Sequence, residues 1–176
     1  MIMDALLLFD GSVSAGGMLS GTSVNSGTSF TTSANTDSAN TIDVGQIGAS
    51  ASGKGRDVGI GDDPALQIAV MVMTSFAGSG ANLQVLLQTA PDNGSGAPGS
   101  WSIIQESPVI GVATLVAGYK INAFKIPPGV QKFLKLTYVV TGANMTAGAI
   151  AAGIVLDNSH LGPNLGYPSG YSNQYV

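Results

Sequence analysis

The stretch Gly48-Ala49-Ser50-Ala51-Ser52-Gly53-Lys54-Gly55 has the residue types of a phosphate-binding loop. Its glycines would let backbone N–H groups approach a phosphate, and its lysine would meet the charge. The pattern fails at its last place, where a Ser or Thr hydroxyl should hold a magnesium ion and Gly55 has none. The residues that follow, Asp57-Val58-Gly59-Ile60-Gly61, read as strand and turn, whereas the loop needs a helix whose N-terminus faces the phosphate. Nucleotide binding is therefore not expected. Nucleophilic catalysis lacks its parts: there is no cysteine, and the single histidine, His160, lies in a Gly/Pro-rich tail where nothing fixes an imidazole as a base. Glycoside chemistry would need two carboxyls in one cleft, yet Glu106 is the one glutamate and no aspartate sits in an apolar setting beside it. Asp57, Asp62 and Asp63 form the densest acidic cluster, but their spacing matches no calcium loop, and turn capping is the plainer reading. Asn144-Met145-Thr146 is a glycosylation sequon. Trp101 offers a ring on which a sugar could stack, although a lone tryptophan at a strand start is more often a core or interface anchor. The expectation is no enzyme, no cofactor and no metal.

Composition points the same way. Only 9% of the 176 residues are charged, against about 25% in ordinary soluble domains, and 44% are hydrophobic. Ser, Thr, Asn, Gln and Gly must then supply the polar surface, and these groups are buried against a partner at lower cost than ions. A net charge of -4 with six scattered basic residues gives no footprint for nucleic acid. No run approaches the about 20 apolar residues of a membrane helix. The opening MIMDALLLF lacks a basic n-region and carries Asp4, so it reads as a strand and the chain is expected to fold in the cytoplasm where it is made.

The elements that would position any site are strands. Leu66, Ile68, Val70 and Val72 alternate with Gln67, Ala69, Met71 and Met73, and Leu83, Val85 and Leu87 alternate with Gln84 and Gln88. Gly78, Gly80 and Asn82 between the two runs predict an antiparallel hairpin. Further strands are expected at Ala5 to Phe9, near Ile42 to Ile47, from Trp101, at Val109 to Val116, Ile121 to Ile126 and Ala147 to Leu156. Another is expected at Lys132 to Val140, with Leu134, Leu136, Tyr138 and Val140 inward. Ala90 to Gly99 is a loop rich in turn formers. About eight strands with regular turn signals predict an all-β antiparallel sandwich, preferably a jelly roll, as a single domain over 1–156. Two segments depart from the pattern: residues 11–56, a long Ser/Thr/Gly-rich insert, and residues 157–176, an extended arm with Tyr167, Tyr171 and Tyr175.

Several of these runs resemble the capsid cement (decoration) proteins of tailed bacteriophages. They are Asp57 to Gly61, Leu66-Gln67-Ile68, Leu83 through Gln88-Thr89-Ala90-Pro91-Asp92, Pro98-Gly99-Ser100-Trp101, Lys132 to Tyr138, Thr146-Ala147-Gly148 and Gly153 to Leu156. The likeness runs in order from about Ile42 to Leu156, and the insert after Gly11 has no counterpart in it. The resemblance implies a jelly roll on the outside of an icosahedral shell, clamping major capsid subunits as a homo-dimer or trimer without enzymatic activity. The virion exterior is then the expected location, and the major capsid protein and further copies of the chain are the expected partners. Phe9, Trp101, Tyr167, Tyr171 and Tyr175 are the expected contact anchors. The alternative is a carbohydrate-binding or host-attachment jelly roll built around Trp101.

Overall fold

A computed structural model describes residues 7–13, 19–20, 22–23, 30–32, 34–45, 66–127 and 129–155. Where β-branched and aliphatic residues alternate with polar ones, the chain is extended. The strands are β1 (Leu8–Asp10), β2 (Ser12–Val13), β3 (Leu19–Ser20), β4 (Thr22–Ser23), β5 (Thr36–Asp37), β6 (Ile42–Asp43) and β7 (Gln67–Ala77). They continue as β8 (Asn82–Ala90), β9 (Ser102–Glu106), β10 (Ile110–Gly111), β11 (Lys120–Lys125), β12 (Phe133–Thr141) and β13 (Ala147–Val155). No α-helix occurs among the described residues, so none there could cross a membrane.

One sheet runs β1-β13-β7-β11, with β4 beside β1 on the same edge of β13. The other is built on β8 and β12, with β9 and β10 in line along the free edge of β8, and β5 and β6 in line along the free edge of β12. Every pair is antiparallel. In chain order the pairings nest: β1 with β13, β5 and β6 with β12, β7 with β11, and β8 with β9 and β10. That nesting is one long hairpin folded over onto itself, the all-β sandwich of a jelly roll.

The expected hairpin between β7 and β8 does not form. β7 pairs with β11 and β13, β8 pairs with β9, β10 and β12, and the chain crosses between sheets through residues 78–81. The glycine signal was real, since Gly78 has φ 147° and a Cβ there would sit 2.7 Å from the Asn144 carbonyl. A turn signal specifies a reversal, however, and not whether the two arms share a sheet. Crossing over sets the stripe Ile68, Val70 and Val72 against Leu83, Val85 and Leu87, all fully buried. The strand expected over Val109 to Val116 is also reduced, to β10 followed by a 3-10 turn at Val112–Thr114.

Leu134, Leu136, Tyr138 and Val140 point inward as their alternation requires. The segment read as an insert contributes Phe30, Ile42 and Val44 to the same core. Phe30 packs edge-on to Phe76, with centroids 5.7 Å apart, and tilts against Tyr138 at 5.1 Å. Gly148 is required by packing: a Cβ there would lie 2.4 Å from the Phe76 ring, at a φ of 138°.

Candidate protein interface

Strand β12 organises the polar chemistry on both of its faces. Inward, the Tyr138 hydroxyl donates to Oδ2 of Asp10 at 2.5 Å, and the Ala39 N–H donates to Oδ1 of the same carboxylate at 2.9 Å. This ties β1 of one sheet to β12 of the other. Burial raises the Asp10 carboxyl above its ordinary range, with the two hydrogen bonds opposing, and burial raises the Tyr138 hydroxyl well above its own.

Outward, Lys135 donates to Asp37 at 2.6 Å, and the Thr137 hydroxyl donates to the other oxygen of that carboxylate, also at 2.6 Å. Burial opposes the charge of Asp37, but the Lys135 and Thr137 hydrogen bonds and the lysine charge together bring its carboxyl below the usual range. The Lys135 ammonium also lies 4.6 Å from the centroid of Trp101. Cross-strand register explains the meeting: Ile103 pairs with Gln88 and Gln88 with Lys135, so the tryptophan two residues before Ile103 projects toward this face.

Lys132, at the mouth of β12, reaches Asp92 at 2.5 Å and Asp43 at 3.9 Å. Its hydrogen bond lowers the Asp92 carboxyl, helped by the Gly96 and Gly94 N–H groups, and the same bond raises Lys132. Asp92 thereby folds the loop after β8 on itself, and Asn93 Oδ1 continues the work by accepting from the Ser95 and Ala97 N–H groups. The result is an exposed knob with its charge internally neutralised. Glu106 accepts from Gln84 at 3.1 Å. Lys120 and Lys125 stand at the two ends of β11.

The exposed large hydrophobic residues among those described are Ile103, Val109 and Val116, at 50%, 58% and 52% exposure. All three fall in the run β9, β10 and the turn after it, and residues 107–119 contain no charged side chain. The described residues offer no cluster of three or more metal-ligating side chains.

Of the five expected anchors, Trp101 is half-buried on the outer face beside Lys135. Phe9 is fully buried in the core, so its side chain has no surface to offer a partner, and the short opening strand holds the sandwich together instead. Tyr167, Tyr171 and Tyr175 lie outside the described residues, as do the lysine-bearing glycine loop 48–55, Asp57, Asp62, Asp63 and His160. The sequon asparagine, Asn144, uses its Oδ1 to accept from the N–H and hydroxyl of Thr32. Ile103, Val109 and Val116 lay in runs read as strands from Trp101 and at Val109 to Val116, with no face assigned to them, so nothing marked them as surface residues.

Residues 24–154 match the family model Bbp16. No curated protein matches the chain.

Proposed function

We propose that this chain, which belongs to the phage-related Bbp16 family, is a structural protein of the virion that cements the outer surface of an icosahedral capsid by bridging major capsid subunits. The observation that carries this reading is the state of the surface. Lys132 and Lys135 are spent on aspartates of the same chain, while the exposed large apolar side chains among the described residues all fall in the run from β9 to the turn after β10. Such a surface loses little by desolvation when covered by protein. Modest contacts then suffice, because a subunit touching several capsomers makes its second and third contacts intramolecularly.

The test is co-sedimentation with shells of the parent particle that lack this protein. Saturable binding is expected, and its absence overturns the reading. Binding through uncharged contacts is further expected to persist from low to molar salt. A steep loss would show that the few charges carry the interaction.

A further inference from the structure

Glycine has no Cβ to shield its amide nitrogen, so an asparagine that precedes one is open to attack by its own backbone. Asn93-Gly94 is the one such pair in the chain, and both residues are exposed. The Gly94 nitrogen can add to Cγ of Asn93: the N–Cγ bond forms, the Cγ–Nδ2 bond breaks, and Nδ2 departs as ammonia with the proton that Gly94 gives up. Water then opens the cyclic imide. Cleavage of the new N–Cγ bond leaves aspartate. Cleavage between that nitrogen and the main-chain carbonyl of residue 93 leaves isoaspartate, whose main chain is one carbon longer.

The loop holds both reacting groups. The Gly94 N–H donates to Oδ1 of Asp92 at 2.8 Å, and the same oxygen accepts from the Gly96 N–H at 2.9 Å. Oδ1 of Asn93 accepts from the Ser95 hydroxyl at 2.7 Å, the Ser95 N–H at 2.9 Å and the Ala97 N–H at 3.4 Å. The backbone on either side is clamped, with the Asn93 N–H donating to the Ala97 carbonyl at 2.9 Å and the Gly99 N–H to the Pro91 carbonyl at 2.8 Å. Lys132 fixes Asp92 in turn through its other oxygen, at 2.5 Å.

Two effects compete at this pair. The donors on Oδ1 would stabilise the negative charge that this oxygen gains as the nitrogen adds. Against that, the nitrogen must lose its proton beside an ionised carboxylate, which disfavours a second negative charge at hydrogen-bond distance. The Lys132 hydrogen bond, helped by the Gly96 and Gly94 N–H groups, holds the Asp92 carboxyl below its usual range, so it is a weak base for that proton. Ring closure must also carry Cγ onto the nitrogen, against the bonds that turn Oδ1 forward to Ser95 and Ala97. The donors help only at a geometry that the clamped loop resists, so the retarding effects win.

We propose that Asn93-Gly94 is a latent site of self-deamidation and that Asp92, anchored by Lys132, is the lock that keeps it closed in the folded protein. The lock preserves the knob after β8. Aspartate at position 93 would set a second carboxylate beside Asp92, and isoaspartate would lengthen a main chain already closed between Asn93 and Ala97.

The test incubates the full chain at mildly alkaline pH, folded and in urea, and follows the peptide carrying Asn93 by its mass and by enzymatic methylation of isoaspartate. Folded wild type is expected to convert at least about tenfold more slowly than the unfolded chain. Asp92→Ala frees the Gly94 N–H and removes the charge, and is expected to raise the folded rate by about tenfold. Asp92→Asn, which removes the charge and keeps an oxygen for the glycine N–H groups, is expected to raise it by a smaller factor, as is Lys132→Ala. Hydrogen exchange at the amides of β8 and β12, expected to be unchanged in all three variants, separates loss of the lock from loss of the fold. Equal rates in folded and unfolded wild type overturn the proposal, as do equal folded rates in wild type and both Asp92 variants. A folded rate above the unfolded one would show that the Oδ1 donors activate the amide, and would overturn the lock in the opposite sense.

Discussion

Asp10 and Asp37 hold opposite faces of the same strand, and their carboxyls move in opposite directions. Asp10 meets the inward hydroxyl of Tyr138 on β12 and is pushed up by burial; Asp37 meets the outward Lys135 and Thr137 and ends below its ordinary value. Both make short, well-formed hydrogen bonds, so the number of donors does not decide the sign. What decides it is whether a full positive charge is present to offset desolvation. Inside, the protein uses an aspartate as a geometric tie between two sheets; outside, it uses one to neutralise a lysine.

The largest effect should come from breaking the inner tie. Asp10→Ala orphans the buried Tyr138 hydroxyl and takes the acceptor from the part-buried Ala39 N–H, at a cost of about 1 to 3 kcal/mol in urea unfolding. Asp10→Asn keeps an acceptor for Ala39 and a partner for the tyrosine and should cost less than about 1 kcal/mol. A loss in Asp10→Ala no greater than that in Asp37→Ala would erase the distinction between the faces.

Tyr138→Phe comes next, at about 1 to 2 kcal/mol and below the loss in Asp10→Ala, because it leaves the buried carboxylate with one N–H donor. The surrounding packing of Phe30 against the ring survives the substitution, so the loss reports the hydroxyl.

How much of this was legible in the sequence follows from the same strand. Leu134, Leu136, Tyr138 and Val140 recur at every second place, so the inward face of β12 could be read directly, as could Ile68 to Val72 and Leu83 to Leu87. Ile42 and Val44 alternate about Asp43 within an expected short strand, whereas Phe30 is a single aromatic residue among Ser, Thr and Gly with no period to mark it, and only packing on Tyr138 and Phe76 brings it inside. The same limit hid Asp10: a carboxylate near a chain start reads as surface until a distant tyrosine is placed against it. Phe9 was legible as an anchor but not as an anchor of the core. Trp101 stood out by its type, while its neighbour Lys135 became visible only through the register of three strands.

The two faces should also separate by pH. Asp10 has a folded-state value raised above that of the unfolded chain, so its contribution is fully present below the unfolded value of about 3.9 and is lost as pH rises through the folded value. Asp37 is lowered, so its contribution is present above about 3.9 and is lost as pH falls through the folded value. Measured between acid and neutral pH, wild type should lose stability relative to Asp10→Asn as pH rises and gain it relative to Asp37→Asn. Parallel curves for the two variants would show that the carboxyls share one environment.

The smallest effect on stability, and the sharpest probe of the outer face, is Lys135→Ala. The partner carboxylate of Asp37 is half exposed, so solvent screening limits the ion pair to less than about 1 kcal/mol, and the melting temperature should barely move. The lysine also covers one side of the Trp101 ring. Because Trp101 is the one tryptophan in the chain, its fluorescence reports this place alone. Removing the lysine should raise the rate of acrylamide quenching, while Asp37→Asn, which leaves the ammonium in place, should raise it less. Equal quenching in wild type and Lys135→Ala would mean that β9 alone shields the ring, and that the outer network neutralises charge without ordering the aromatic surface beside it.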